Sequence, residues 1–185
     1  MIVDLGTGDG RAVLARAAAH PAALVLGVDA VADSMAEVSR RAARAARRGP
    51  ANAMFLVAAA ESLADTPLAG RADLVTVTFP WSSLLRGVLG LDPAVLAGVA
   101  ALVAPGGHLE VLASVVPSDP VDGIATLGAS HEPAICRAWA AAGLDLVSMR
   151  PATAAEIAAS RSSWARRLDP ARGTRPVWRL DLCRP

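Results

Sequence analysis

Short apolar runs alternate along this chain with longer stretches whose apolar residues recur every three or four positions. The runs at residues 2–5, 23–28, 53–58, 73–78, 108–113, 144–149 and 177–182 predict seven strands, apolar enough to be covered on both faces. The intervening stretches predict helices over about 11–20, 33–48, 94–103, 133–142 and 153–168. Ser34 and Glu37 have capping-box spacing at the start of the second helix, and Gly49-Pro50 stops it. Thr153 and Glu156 repeat that spacing at the start of the last. Pro105-Gly106-Gly107 supplies a turn before the fifth strand, and the turn-rich residues 117–128 are expected to form a mobile loop. This order predicts an α/β fold: a doubly wound, seven-stranded, mostly parallel sheet with helices on both faces, closed by an antiparallel hairpin.

Composition narrows the setting more than the chemistry. The 185 residues suit a single domain, and 54 % hydrophobic content suits a sheet covered on both sides. Arg, Asp, His or Pro interrupts the Ala-rich stretches well short of the roughly 18 residues a membrane span needs, and no basic-then-apolar signal segment opens the chain. Cys136 and Cys183 lie far apart without metal-type spacing, so a reduced, cytoplasmic protein is expected. The net charge of +1 does not announce a nucleic-acid binder. All 18 basic side chains are arginine, a bias that a GC-rich genome explains. Their local clustering must therefore carry any argument about partners.

The chemistry starts at Asp4-Leu5-Gly6-Thr7-Gly8-Asp9-Gly10, directly after the first strand. Glycines at 6, 8 and 10 let the backbone turn sharply and approach a ligand without Cβ clashes. A dinucleotide loop needs glycine at position 11, where this chain has Arg11, and a Walker loop needs lysine, which the chain lacks. Asp4, two residues ahead of the first glycine, suits a cationic amino-acid end better than a phosphate. S-adenosylmethionine carries an ammonium, a sulfonium and no phosphate. Asp29, at the end of the second strand, is placed to accept from both ribose hydroxyls, and Ala60 and Glu61, after the third, fall where an adenine ring packs. The cofactor set read here is Asp4, Gly6, Thr7, Gly8, Gly10, Asp29, Ala60 and Glu61. Together they predict a class I, Rossmann-like S-adenosylmethionine-dependent methyltransferase that releases S-adenosylhomocysteine.

The acceptor site is expected at the carboxyl edge of the fourth strand, at Phe79-Pro80-Trp81. The longer segment Pro80-Trp81-Ser82-Ser83-Leu84-Leu85-Arg86-Gly87-Val88-Leu89-Gly90 closely resembles a motif of the aminoglycoside-resistance methyltransferases that modify N1 of adenine 1408 in 16S rRNA, the kanamycin–apramycin resistance type. A second match is Ser162-Ser163-Trp164-Ala165-Arg166-Arg167-Leu168, followed by Arg172. The resemblance implies that Trp81 and Trp164 hold a flipped adenine between two rings and that Ser162 sets Trp164 or the base. It also implies that Arg167 and Arg172, with Arg166 beside them, hold the distorted rRNA backbone. Arg40, Arg41, Arg44, Arg47 and Arg48 crowd the end of the second helix, where a solvated face is the plain reading. In the similar enzymes a basic patch in this region contacts rRNA. The implied partner is 16S rRNA in the 30S subunit, approached by a monomer with no membrane involved.

Members of this family carry a β-hairpin ahead of the first strand. The chain begins at that strand, so residues 1–185 are expected to form one methyltransferase domain without the hairpin. N1 of neutral adenine already has an in-plane lone pair, so no general base and no metal are required. His20, His108 and His131 accordingly fall in no triad or ligand cluster. Trp139 and Trp178 lie outside the two motifs and read as core. Two rival readings stay open on the residues alone: a small-molecule methyltransferase of secondary metabolism, and a catalytically silent cofactor-binding subunit.

Overall fold

The computed structural model describes residues 1–44, 51–119, 121, 123–167 and 175–185. Its first half is a run of parallel strand–helix units: β1 (Ile2–Leu5), α1 (Arg11–Ala19), β2 (Val25–Asp29), α2 (Ala32–Arg44) and β3 (Ala53–Val57). A 3-10 helix (Ala60–Asp65) leads to β4 (Ala72–Thr78), α3 (Ser82–Val88) and α4 (Pro93–Leu102). Then come β5 (Val103–Ala113), α5 (Glu132–Ala141), β6 (Asp145–Pro151), α6 (Ala154–Ala159), α7 (Ser163–Arg167) and β7 (Trp178–Cys183). The strands form one sheet in the order β3-β2-β1-β4-β5-β7-β6, with β7 antiparallel to both neighbours. The expected seven-stranded, mostly parallel architecture is therefore the one observed. No single helix among the described residues is long and apolar enough to cross a membrane.

Apolar runs become central strands because only burial on both faces satisfies them. Val3, Val25, Val75, Val77, Leu109 and Val111 are fully buried, each contributing roughly 1.5–3 kcal/mol relative to exposure. Trp139 is fully buried in α5 and donates its indole N–H to the Val88 carbonyl at 3.1 Å, a core role as expected. Asp92 caps α4 by accepting from the Val95 amide, and Pro93 follows at the first helical position. Residues 117–128 were expected to be mobile, but several of the described ones are tied down. Ile124 and Leu127 are buried, the Leu127 amide donates to the Val115 carbonyl, and Arg175 pairs with Asp119. Burial raises the Asp119 carboxyl, but hydrogen bonds from Arg175 and the Val116 amide outweigh it and hold the group below its ordinary value.

Two helix expectations need correction. The second helix starts at Ala32, so Ser34 lies inside its first turn rather than capping it. Asp29 Oδ1 already accepts from the Val31 amide ahead of that turn, leaving Ser34 no capping role. The span expected at 153–168 is broken in two. Its capping box does form: Thr153 Oγ1 accepts from the Glu156 amide, and Glu156 Oε2 accepts from the Thr153 amide at 2.8 Å. Beyond it, Ser160 donates to the Ile157 carbonyl and accepts from the Ser162 amide, and Arg161 turns to φ 55°. Serine hydroxyls competing for backbone partners end α6 here. The short helix α3 and the 3-10 helices at Ala60–Asp65 and Ala129–His131 were not anticipated.

Five strands each carry a polar residue between apolar neighbours in sequence, and the register lines these positions up. Asp4 on β1 pairs with Thr76 on β4, Thr76 with Glu110 on β5, Glu110 with Asp181 on β7, and Asp181 with Ser148 on β6. Paired positions share a face of the sheet, so a polar row crosses that face. Arg179 is bound into it through Glu110 at 3.1 Å and Asp181 at 2.6 Å.

Candidate active site

The glycine loop leaves β1 as a tight wrap held by the neighbouring strand. The Gly6 and Thr7 amides both donate to the Val28 carbonyl, at 2.8 and 3.1 Å. All three glycines have positive φ, but they do different work. A Cβ at Gly10 would come within 2.6 Å of Phe55 and 2.5 Å of Val38, so this glycine lets α1 pack on β3 and α2. A Cβ at Gly8 would meet nothing within 4 Å. Gly8 is the position where the backbone faces open space, as a ligand cradle requires. Its amide donates to Asp29 Oδ2 at 2.8 Å, while Asp29 Oδ1 accepts from Val31 at 2.9 Å. Asp29 thus fixes the loop, and a carboxylate's roughly four lone-pair sites leave it capacity for further donors.

Asp4 is 6 % exposed and held on both oxygens: Thr7 Oγ1 donates to Oδ2 at 2.8 Å and Thr76 Oγ1 to Oδ1 at 2.7 Å. Asp4, Gly6, Thr7 and Gly8 line a cavity of about 220 Å³ whose far wall is Phe79, Trp81, Ser162 and Trp164. The structure thus brings cofactor and acceptor candidates from opposite ends of the chain into one space. Gly10, Asp29, Ala60 and Glu61 do not line it. Ala60 is buried and Glu61 exposed at the start of the 3-10 helix, which α4 approaches closely because a Cβ at Gly98 would lie 1.9 Å from the Ala60 carbonyl oxygen.

The candidate acceptor wall stores backbone strain. Among the described residues, the non-glycine positions with positive φ are Phe79, Ser82 and Arg161, at 50°, 50° and 55°. Each such residue costs on the order of 1–3 kcal/mol, and all three flank the two tryptophans. Phe79 and Ser82 bracket the buried Pro80 and the exposed Trp81. Trp164 packs against a small apolar cluster that includes Phe79, Leu112 and Ile157. The two indoles meet edge to face, with centroids 4.9 Å apart. Ser162 Oγ accepts from the Trp164 amide at 3.2 Å and the Ala165 amide at 3.4 Å, capping the turn that carries Trp164. Glu156 braces the preceding helix. Its carboxyl is held well below the usual range, first by hydrogen bonds from Arg150 and then by the Thr153 amide.

The candidate RNA-binding arginines are less fully described. Arg44 ends α2, and Arg166 and Arg167 end α7; the side chains of all three lie outside the described residues. Arg47, Arg48 and Arg172 lie outside them altogether. Sequence reasoning missed Thr78, Ser160 and Arg161 on the cavity wall, and Thr76 and Arg16 behind it. The signal for Thr76 was a lone hydroxyl inside the apolar run Leu74-Val75-Thr76-Val77.

This strand order, with an acid-and-glycine loop at the carboxyl end of β1 facing an aromatic wall at the end of β4, defines a class I S-adenosylmethionine-dependent methyltransferase. The model of the NpmA family, 16S rRNA (adenine(1408)-N(1))-methyltransferase, matches residues 1–181, and the chain belongs to that family. It is 36 % identical over 180 residues to the 16S rRNA (adenine(1408)-N(1))-methyltransferase of Streptoalloteichus hindustanus, covering 93 % of this chain and 81 % of the relative. Among solved structures, a mutant of the enzyme of the same name from Catenulisporales acidiphilia, with its cosubstrate S-adenosylmethionine, superposes with a TM-score of 0.84 at 33 % identity. That match covers 99 % of this chain and 84 % of the other. The aminoglycoside resistance methyltransferase NpmB1 gives a TM-score of 0.76 at 37 % identity, covering 100 % and 86 %.

The residues present fit S-adenosylmethionine. Gly8 leaves open space beside the loop, and the buried Asp4 carboxylate lies on the cavity wall, where an ammonium can be received.

Proposed function

We propose that this chain methylates N1 of adenine 1408 in the 16S rRNA of the 30S subunit and thereby protects its host from aminoglycosides. The observation that carries this reading is the placement of Trp81 and Trp164 across one cavity from Asp4 and Gly8. A duplex or stacked base reaches such a site only by leaving its stack, at a cost of a few kcal/mol. Stacking on an aromatic ring returns about 1–3 kcal/mol per base.

S-adenosylmethionine supplies a methyl group already activated by its sulfonium. Asp4 receives the ammonium of the methionine end, the Gly6-Thr7-Gly8 backbone lies against the cofactor, and Asp29 accepts from the ribose. Ala60 and Glu61 border the adenine of the cofactor. Trp81 and Trp164 hold the target base and orient N1, with Ser162 fixing the turn that carries Trp164. Because N1 has a free lone pair, the protein's contribution is alignment, which supplies roughly 7–11 kcal/mol in well-oriented cases. The indole faces also favour the positive charge that develops on the base. Arg44, Arg47, Arg48, Arg166, Arg167 and Arg172 supply phosphate contacts that position the enzyme without reading sequence.

The test incubates the protein and S-adenosylmethionine with 30S subunits and maps reverse-transcriptase stops on the 16S rRNA. A new stop at adenine 1408 is expected, since N1 methylation blocks base pairing. Modification at another base, or none while cofactor binds, overturns the assignment. Binding to 30S subunits should also fall steeply with salt.

A further inference from the structure

We propose that Arg16 is a positioning residue for the cofactor's amino-acid end, acting through Thr76 on Asp4. The inference rests on the reading of Asp4 as the group that receives the ammonium. Arg16 projects from α1, and its Nη1 donates to Thr76 Oγ1 at 2.6 Å. Thr76 Oγ1 in turn donates to Asp4 Oδ1 at 2.7 Å. Asp4 and Thr76 are register partners on β1 and β4, and both are more than nine-tenths buried.

The chemistry of the three groups fixes the direction of this relay. A guanidinium can only donate, whereas a hydroxyl has one proton and can both give and receive. With Arg16 donating to it, the Thr76 oxygen is occupied as an acceptor, and its proton goes to Asp4. Without Arg16 the Thr76 oxygen loses its bound donor, and its hold on Asp4 is less firmly oriented and weaker. Linked donors of this kind also strengthen one another in a buried setting. Thr7 does the same from the other side, so both Asp4 oxygens are held and the carboxylate plane cannot swing.

Arg16 exerts this hold from outside the cofactor cavity. It lines a second cavity of about 130 Å³, on the other side of Thr76 and Thr78, whose walls include Glu110, Glu156 and Arg179. Glu110 and Glu156 are both within salt-bridge distance of Arg179, at 3.1 and 3.6 Å. Arg16 is therefore directed to the threonine of the polar row. The consequence is specific: loss of Arg16 should weaken ligands that carry the amino-acid group and spare those that lack it.

Calorimetry with S-adenosylhomocysteine and with 5′-methylthioadenosine, which lacks the amino-acid portion, separates this role from a structural one. Arg16→Met keeps the aliphatic stem but no donor, and Thr76→Val keeps the shape but no hydroxyl. Each should weaken S-adenosylhomocysteine by about tenfold and leave methylthioadenosine within about twofold. Arg16→Lys, which retains a donor, should recover part of the difference. Equal losses for both ligands, or no loss for either, overturn the proposal. Because the ratio is taken within one variant, a general loss of stability does not mimic the effect. Asp4→Asn is the control for the underlying reading. If it leaves the ratio unchanged, the ammonium assignment fails; if it shifts the ratio and Arg16→Met does not, only the positioning role fails.

Discussion

Trp81 and Trp164 touch each other edge to face, with ring centroids 4.9 Å apart and planes inclined by 74°. A base held between parallel rings needs about 7 Å, twice the van der Waals contact distance of roughly 3.5 Å. The pair therefore occupies with its own contact the place where a base would stack, and the rings must part to admit one. An aromatic contact of this kind is worth about 0.5–1.5 kcal/mol, less than two new base contacts return. Trp81→Ala and Trp164→Ala should each lower turnover on 30S subunits on the order of 10- to 100-fold. Calorimetric affinity for S-adenosylhomocysteine should stay near that of the wild type. Lost cofactor affinity in both variants would remove the stacking role.

Ser162 gives a milder test of the same wall. Its hydroxyl accepts from the Trp164 and Ala165 amides. Removing a helix N-cap costs about 0.5–2 kcal/mol, and here the cost falls on a helix of only five residues. Ser162→Ala should reduce turnover through poorer placement of Trp164, while Ser162→Thr, which keeps the capping oxygen, should retain most of it. Single-turnover kinetics with saturating cofactor make the comparison.

The glycine loop was legible because its constraint is local: turn, acid and glycines follow one another within seven residues. The tryptophan segments were legible because each is a contiguous pattern. The break between α6 and α7 was not, because residues 153–168 keep helical periodicity and only the Ser160-Arg161-Ser162 hydroxyl competition interrupts it. The polar row was also hidden. Asp4, Thr76, Glu110, Asp181 and Ser148 are each an isolated polar residue in the sequence, and only strand register makes them neighbours. Arg16 carried no signal in the sequence for the same reason. Gly10 was assigned to the ligand by spacing, yet its missing Cβ is needed for Phe55 and Val38.

That last difference can be measured. Gly8→Ala meets no atom, so its folding cost is confined to the left-handed backbone, about 1 kcal/mol. It should fold and lose cofactor affinity. Gly10→Ala adds a clash with Phe55 and Val38 to the same backbone cost and should lower the melting temperature by clearly more. Thermal melts of both variants, read beside S-adenosylhomocysteine titrations, check the division. Equal melting losses would mean that the two glycines serve packing alike.

The Glu156 carboxyl is one place where acid should loosen the candidate acceptor wall. Hydrogen bonds from Arg150, and then from the Thr153 amide, depress its folded pKa far below the roughly 4.3 of an unfolded glutamate. A depressed carboxylate contributes stability that is fully present above the unfolded value and is lost as pH falls below it. Asp181 shifts the same way: burial raises it, but hydrogen bonds from Arg179 and Ser148 prevail. Acid lability will therefore persist in any single variant. Glu156→Gln should melt earlier than the wild type at pH 7, since it loses the charge that Arg150 and Arg179 face. The gap between the two melting temperatures should then narrow steadily as pH drops from about 4.5 toward 2.5, because the wild type alone gives up this term. Melts followed by circular dichroism across that range decide it. A gap that stays constant with pH would show that Glu156 acts through packing and its capping geometry, not through its charge.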